Sequence, residues 1–534
     1  MGTSDVRVRT LIDSGQAVLG IEFGSTRIKA VLIGQRGEPI ATGGHSWENR
    51  LQDGVWTYDL ADVWTGLQQA YAALSQEVQR NYGTTIRQLA ALGISGMMHG
   101  YLPFDAQEKQ LAPFRTWRNT MTGEASDVLS EAFDFHIPRR WSVAHLYQAI
   151  LKGEEHVPHI NYLTTLAGYV HWQLTGQKVL GVGEASGMFP IDATGAAYDA
   201  GMLSAFNGLV KGKGYAWRLE ELLPQLLVAG QDGGRLTPQG ARLIDPAGNL
   251  QPGIPMCPPE GDAGTGMVAT NSVAQRTGNI SAGTSIFLMA VLEKALSRNY
   301  PQIDMVTTPT GRPVAMVHCN NCTTDLNKWV KVFEQFAAAT GMPTDTNRVY
   351  EAFFEQALHG AADGGGLLSY GYYSGEHITG FEEGRPLLAW TPEADLSFAS
   401  LARTILFAAL GTLGLGMEIL SDERVQLDQL VGHGGLYRTG TAGQRFTAAA
   451  LKAPVTVMDH AGEGGAWGIA LLAAYAQRET QETSLEQYLQ QEVFSALQGT
   501  TIAPDPADAA GFETYLRRFR RGLAIERAAV EHLD

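Results

Sequence analysis

Residues 17–33 read AVLGIEFGSTRIKAVLI: an apolar run, a turn at Gly24-Ser25-Thr26, and a second apolar run. Short apolar runs bounded by turn residues predict buried strands, here Ala17–Phe23 and Ile28–Ile33. Residues 279–292 read NISAGTSIFLMAVL and repeat the design around Gly283-Thr284-Ser285, with a strand predicted over Ile286–Leu292. The two glycines stand 283 − 24 = 259 residues apart, close to half of the 534-residue chain. One such turn is common in hairpins. Two at corresponding places in two halves suggest an internal two-fold pattern rather than a solenoid period.

Outward from the first turn, Glu38–Thr42 starts a third strand in this reading. A helix follows over Leu60–Tyr82, where Leu60, Val63, Leu67, Ala70, Tyr71 and Leu74 recur at helical spacing. Leu89–Ile94 is another apolar strand, ending at Ser95-Gly96-Met97-Met98-His99-Gly100. This is an α/β order, in which ligands sit beyond strand carboxyl ends. In the second half, Leu427–Val431 is a strand leading to Gly432-His433-Gly434-Gly435. A helix containing Gln444 and Phe446, the strand Pro454–Met458, a turn over 459–465 and the helix Ala466–Ala476 follow. From about Gln477 the chain is polar and helical, ending in the arginine-rich Glu513–Leu533, and reads as a surface or packing appendage without chemistry.

Between the halves, Glu260-Gly261-Asp262-Ala263-Gly264-Thr265-Gly266 sets one carboxylate among small residues, with a helix predicted over Met267–Val273. Small neighbours let a substrate approach Asp262. An N-cap role for that helix is equally consistent, and the two readings are compatible.

Composition excludes several classes. Lys plus Arg is 39 against 55 acids, a net charge of −16 without a basic run, which repels a phosphate backbone and argues against nucleic acid. Small anions remain bindable by backbone N–H groups. Glycine, at 62 residues, exceeds the usual ~7% share and indicates many tight turns. Cys257, Cys319 and Cys322 cannot form a disulfide framework; the Cys-x-x-Cys pair reads as two reduced buried thiols, without the second pair a four-cysteine zinc site needs. The N-terminus has no secretory pattern. The longest charge-free apolar stretches, Thr404–Met417 and Gly464–Gln477, are 14 residues each, short of the ~20 that span a bilayer. A cytoplasmic protein without a membrane partner is expected.

These residues resemble the FGGY family of carbohydrate kinases. The resemblance rests on GIEFGSTRIKA (20–30), GMMHG (96–100), EGDAGTGMVA (260–269), SAGTSIF (281–287) and GHGGLYRTGTAGQRF (432–446), in the family's order. Weaker matches are LTG (174–176), AS (185–186), GRLTPQGA (234–241), YSGEH (373–377) and EGGAWGIALLA (463–473). The resemblance implies an α/β fold of two ribonuclease-H-like, actin-like ATPase lobes with a catalytic cleft between them. It divides the chain into an N-terminal lobe over 1–268, a C-terminal lobe over 269–480 and a helical extension over 481–534.

The implied activity is transfer of the ATP γ-phosphate to a hydroxyl of a small ketose or related polyol. A pentulose such as xylulose or ribulose leads, and the alternatives are a hexulose or polyol kinase, or a non-metabolic actin-like ATPase. By this resemblance Asp262 is the catalytic base. Gly24, Ser25, Thr26 and Lys29, with Gly283, Thr284 and Ser285, face the ATP phosphates. Gly434 and Gly435 pack against adenine, with Arg438 and Thr439 nearby. Met98, His99, Trp117, Asn119 and Asp262 form the sugar site, His99 offering two ring nitrogens to hydroxyls and Trp117 a flat wall.

Mg²⁺ is the implied metal, held through Glu22 and Asp262; Glu22 stands where most members carry aspartate. Met-His-Gly at 98–100 is the pattern of the xylulokinase-like branch, whereas glycerol kinases carry Arg-Glu there. Arg118 and Asn119 after Trp117 depart from that branch's Trp-Asn-Asp. The implied partner is a small-molecule sugar, and a homodimer is left open.

Overall fold

A computed structural model describes residues 3–343, 345–458, 464–478, 483–495 and 497–533. It divides into two compact units. One comprises 1–273, 305–314 and 462–496, the other 274–304, 315–461 and 497–534. The divisions at 268/269 and 480/481 follow chain order. The compact units do not, because later segments return to the first.

The first unit holds a five-stranded sheet of β1 (Val18–Phe23), β2 (Arg27–Ile33), β3 (Pro39–Ser46), β4 (Ala91–Gly96) and β5 (Glu260–Gly261), in the order β5-β4-β1-β2-β3. β1 pairs antiparallel with β2 and parallel with β4, and β5 joins β4 in parallel. A central strand covered on both faces must be apolar throughout, and β1 is buried except at half-buried Glu22. The helix Leu60–Tyr82 lies where periodicity placed it. It buries Val63, Leu67, Ala70, Tyr71, Leu74 and Val78, and ends at Gly83 in the left-handed conformation, φ 63°.

The helix Gly465–Ala476 lies on β1 and β4 of this unit. A Cβ at Gly20 would come within 2.0 Å of the Ala466 carbonyl oxygen and 2.8 Å of the Ala470 nitrogen. Glycine is therefore what lets helix backbone touch strand backbone here. The turn read over 459–465 lies, for 459–463, outside the described residues, as does Glu463 of the weak match 463–473.

A second, seven-stranded sheet comprises β6 (Thr277–Ala282), β7 (Ile286–Val291), β8 (Asp304–Thr307), β9 (Pro313–Cys319), β10 (Gln429–Gly434), β11 (Val455–Met458) and β12 (Gly499–Ile502), of which all but β8 fall mainly in the second unit. Their order is β8-β9-β7-β6-β10-β11-β12. β6 pairs antiparallel with β7 and parallel with β10, and β10 is parallel to β11. Stripped of its edges β8 and β12, this sheet reads β11-β10-β6-β7-β9, the same connectivity as β5-β4-β1-β2-β3. The two-fold pattern of the turns thus extends to the sheets.

The C-terminal segment is more than an appendage. β12 pairs antiparallel with β11. The helix Pro506–His532 buries Phe512, Tyr515 and Phe519, with Phe512 and Tyr515 at 5.1 and 5.4 Å from the Phe407 ring. The long-range partners of this segment are invisible to local pattern, so its polar composition read as surface. Among the described residues one helix, Phe398–Asp422, is long and apolar enough to cross a membrane, and 72% of its apolar window is buried inside the protein. Its Arg403 is buried against Asp508 of the C-terminal helix at 3.3 Å, and a buried charge of this kind must be paired. All three cysteines are free and buried. Burial pushes their thiols up, away from the reactive thiolate.

Gly20→Ala should lower stability by about 1–3 kcal/mol through overpacking of the strand–helix contact. A denaturant midpoint indistinguishable from wild type would show that this contact is looser than described.

Candidate active site

In-register parallel pairing sets the site. Phe23 stands opposite Gly96, and Gly96 opposite Gly261. The segments beginning at Gly24, Met97 and Asp262 therefore leave one sheet edge side by side. Asp262 is the first residue of the helix Asp262–Ala269, with Gly261 as N-cap. The helix thus starts five residues before the expected Met267, and Asp262 sits inside its first turn rather than at the cap. Its Oδ1 accepts the Met98 N–H at 3.0 Å. The carboxylate is exposed on its surface, yet the protein around it raises its pKa, opposed by the N–H groups of Met98, Ala263 and its own residue. A first-turn position favours the anion through the helix dipole.

Glu22 lies directly across the strand pair from Lys29. Burial and the charge of Asp262 push its carboxyl up to about 7. Lys29 and the N–H groups of Ala466 and Gly465 pull it down. The extra methylene relative to aspartate lets Glu22 reach the N-terminus of the helix Gly465–Ala476: a Cβ on Gly465 would meet its Oε1 at 2.4 Å.

Met98 is buried, and its backbone N–H is its contact with Asp262. His99 is buried and held at φ 71°, a left-handed conformation that is uncommon outside glycine and clusters at functional sites. Its Nε2 accepts from Arg140 Nε at 3.1 Å, since arginine has no lone pair to offer. The ring proton is therefore on Nδ1, which donates to the Gly187 carbonyl at 3.1 Å. Both nitrogens are thus engaged, where the sequence reading had them presented to sugar hydroxyls.

Trp117 is 37% exposed and donates its indole N–H to Ser25 Oγ at 3.1 Å, tying the expected sugar wall to the first hairpin. Asn119 is different. Its Oδ1 accepts the Trp56 N–H, and its Nδ2 donates to the carbonyls of Trp56 and Thr116. It is a buried strut for the Trp117 loop, not a presented ligand. Arg118 lies over the Trp56 ring, 3.9 Å from its centroid.

In the second unit, Gly283 has no close atom that a Cβ would strike within the protein, the nearest being the Ser285 carbonyl oxygen at 4.0 Å. Nor does its φ fall in the left-handed region. Among the described residues nothing demands glycine there, which leaves room for a ligand. Gly435 is alike, its nearest atom being the Ala282 oxygen at 4.0 Å. Gly434 has an internal reason: φ 108° and the Ala282 carbonyl 2.3 Å from its ideal Cβ. Arg438 is exposed and Thr439 half-buried just beyond the short helix Gly435–Tyr437.

Sequence reasoning missed Arg140, Gly187 and Glu260. Buried Glu260 accepts the N–H groups of Gly183 and Glu184 at 3.2 and 2.8 Å, fixing the turn that carries Gly187 to His99. The weak match at 185–186 was the available signal for that turn; Arg140 had none.

The model of the FGGY family of carbohydrate kinases, N-terminal domain, matches residues 17–268, and that of the C-terminal domain matches 278–477. The chain belongs to the FGGY family of carbohydrate kinases. Among curated relatives of this FGGY kinase, xylulose kinase of Escherichia coli (strain K12) is 23% identical over 292 residues, covering 52% of the chain and 55% of the relative. The match thus spans about half of that relative's length. Xylulose kinase of Haemophilus influenzae is 19% identical over 424 residues, 77% of the chain and 81% of the relative.

Among solved structures, ligand-bound xylulose kinase and gluconate kinase, both from Lactobacillus acidophilus, each superpose with a TM-score of 0.78 at 15% identity. They cover 97% and 96% of this chain, and 99% and 98% of their own. Equal likeness to kinases of two different sugars shows the fold and leaves the sugar open.

Asn119→Ala should destabilise the protein by about 1–3 kcal/mol, because it orphans the Trp56 N–H, whereas the Trp56 carbonyl keeps the Thr116 N–H. Chemical denaturation reads this. A loss of sugar affinity with stability intact would instead make Asn119 a ligand.

Proposed function

We propose that the chain phosphorylates a ketose of five or six carbons at the expense of ATP, with a pentulose such as xylulose or ribulose as the leading substrate. The observation that carries the reading is the convergence of three segments at one sheet edge: the Gly24-Ser25-Thr26 hairpin, Met98-His99, and Asp262. The Met98-His99-Gly100 sequence and the xylulose kinase relatives favour a ketose over glycerol.

Asp262 is the general base. It takes the proton of the attacking hydroxyl as the new P–O bond forms, the bond to the ADP oxygen breaks and ADP departs. Burial raises the Asp262 carboxyl while the N–H groups at the helix start favour its anion, so it can accept a proton as charge develops on the hydroxyl. Trp117 offers the sugar its ring face. His99, in its fixed tautomer, shapes the pocket together with Met98. Lys29 with Gly24, Ser25 and Thr26, and Gly283, Thr284 and Ser285 in the second unit, serve the phosphates. Gly434 and Gly435, with Arg438 and Thr439, serve the adenosine.

Among the described residues no group of three or more His, Cys, Asp or Glu is arranged to hold a metal ion. The raised Glu22 beside Asp262 is an acidic pair that a divalent cation would relieve. This fits Mg²⁺, which keeps several waters and takes the rest of its shell from phosphate oxygens and one or two carboxylates. Glu22 and Asp262 would hold it, and its chemistry would be neutralisation of phosphate charge. In the family pattern the 1–268 segment carries the sugar and base residues and the 269–480 segment the adenosine side. A homodimer remains compatible with this reading.

Asp262→Asn should retain its melting temperature and ATP binding while kcat falls by about 10²–10⁴. Near wild-type turnover would remove the base assignment. In a coupled assay over pentuloses, hexuloses and polyols, a ketose should give the highest kcat/KM. Glycerol as best substrate would overturn the choice of sugar, and ATP turnover that no sugar stimulates would point to the non-metabolic ATPase.

A further inference from the structure

Both hairpins are held from behind in the same way. In the first, the Gly24 carbonyl accepts the Trp47 indole N–H at 2.7 Å, and the Ser25 carbonyl accepts the Tyr58 hydroxyl at 2.5 Å. The Thr26 carbonyl accepts the Trp47 backbone N–H at 3.1 Å, and the Arg27 carbonyl the Gly24 N–H, also at 3.1 Å. In the second, the Gly283 carbonyl accepts Thr323 Oγ1 at 2.7 Å and the Thr323 N–H at 3.1 Å. The Thr284 carbonyl accepts the Cys322 N–H at 2.9 Å, and the Ser285 carbonyl the Gly283 N–H at 2.8 Å. Every carbonyl of both turns is therefore occupied. No protein acceptor among the described residues takes the N–H of Ser25, Thr26, Thr284 or Ser285.

A peptide unit is planar and trans, so its C=O and N–H point opposite ways. Anchoring the Gly24 carbonyl turns the Ser25 N–H to the other side, and anchoring Ser25 does the same for the Thr26 N–H. The Gly283 and Thr284 carbonyls set the N–H groups of Thr284 and Ser285 alike. An anion at either turn then meets the positive ends of the peptide dipoles, with the negative ends masked behind. The anchors are rigid. Trp47 is 7% and Tyr58 2% exposed, stacked at 4.2 Å between ring centroids. The Tyr58 phenol is pushed up to about 12, mainly by burial, and so keeps its proton to donate. Thr323 opens the helix Thr323–Ala339.

Resting on the kinase reading above, we propose that Trp47, Tyr58 and Thr323 are positioning residues for phosphoryl transfer. They hold the hairpin carbonyls from behind, so that the two free N–H groups of each hairpin are turned outward for a phosphate before the nucleotide binds. They touch neither sugar nor nucleotide. The Cys319–Cys322 segment thereby gains a role that does not involve its thiols, since the Cys322 backbone is one of the anchors.

Tyr58→Phe and Thr323→Val keep shape and delete one donor each; Trp47→Phe deletes the indole donor and leaves a smaller ring. Each should weaken ADP and an unreactive ATP analogue in calorimetry about threefold to tenfold and lower kcat, as expected when N–H···phosphate hydrogen bonds are misaligned. Adenosine, which has no phosphate, should bind as to wild type, the KM for sugar should hold, and Thr323→Ser should restore wild-type values. Variants that weaken adenosine and ADP equally, or neither, would overturn the proposal. If Trp47→Phe does not fold, the Tyr58 and Thr323 variants decide. A wild-type protein whose ATP turnover no sugar stimulates would defeat the kinase reading instead, a result distinct from unaffected variants of an active enzyme.

Discussion

Parallel hydrogen bonding of β1, β4 and β5 is the constraint on which the first unit depends. Because Phe23, Gly96 and Gly261 stand in one register, the chain must leave the sheet at three adjacent points. The hairpin, the Met98-His99 segment and Asp262 are therefore neighbours by virtue of the ladder. A one-residue slip of β4 would reverse the facing of its side chains and remove the Met98 N–H from the carboxylate it holds. The close approach of the helix Gly465–Ala476, allowed by Gly20, fastens the same strands from the other side.

On that edge the protein gathers negative charge and then manages it. Asp262 occupies the first turn of one helix, and Glu22 receives N–H groups from the start of another. Both use the partial positive charge of a helix N-terminus to hold a carboxylate where burial disfavours it. Glu260 does the equivalent with two N–H groups of the short helix Val182–Ala185 and so fixes the turn that reaches His99. Backbone donors thus set the site's geometry, while side chains supply its chemistry. This division suits phosphoryl transfer, where alignment and charge matter more than covalent participation.

The second unit repeats the hairpin-plus-parallel-strand plan with different fastenings. Aromatic side chains anchor the first turn, whereas a threonine and a helix N-terminus anchor the second. The repeated element is backbone geometry, which many sequences can satisfy. Two glycine-led turns are accordingly the readable trace of a duplication that extends through five strands of each sheet.

Apolar runs and helical spacing determined locally that β1, β2, β4 and the helix Leu60–Tyr82 exist, because burial on a fixed period is a property of neighbouring residues. The motifs GMMHG, EGDAGTGMVA and SAGTSIF carried the family, which the matches over 17–268 and 278–477 bear out. Other features were decided only by contacts across long stretches of chain. The tautomer of His99 depends on Arg140 and Gly187, 41 and 88 residues away. Asn119 is a strut because Trp56 lies beside it, and the C-terminal segment is core because its aromatic residues meet Phe407. A side chain's partners across the fold are set by three-dimensional packing, and no local period in the sequence encodes them.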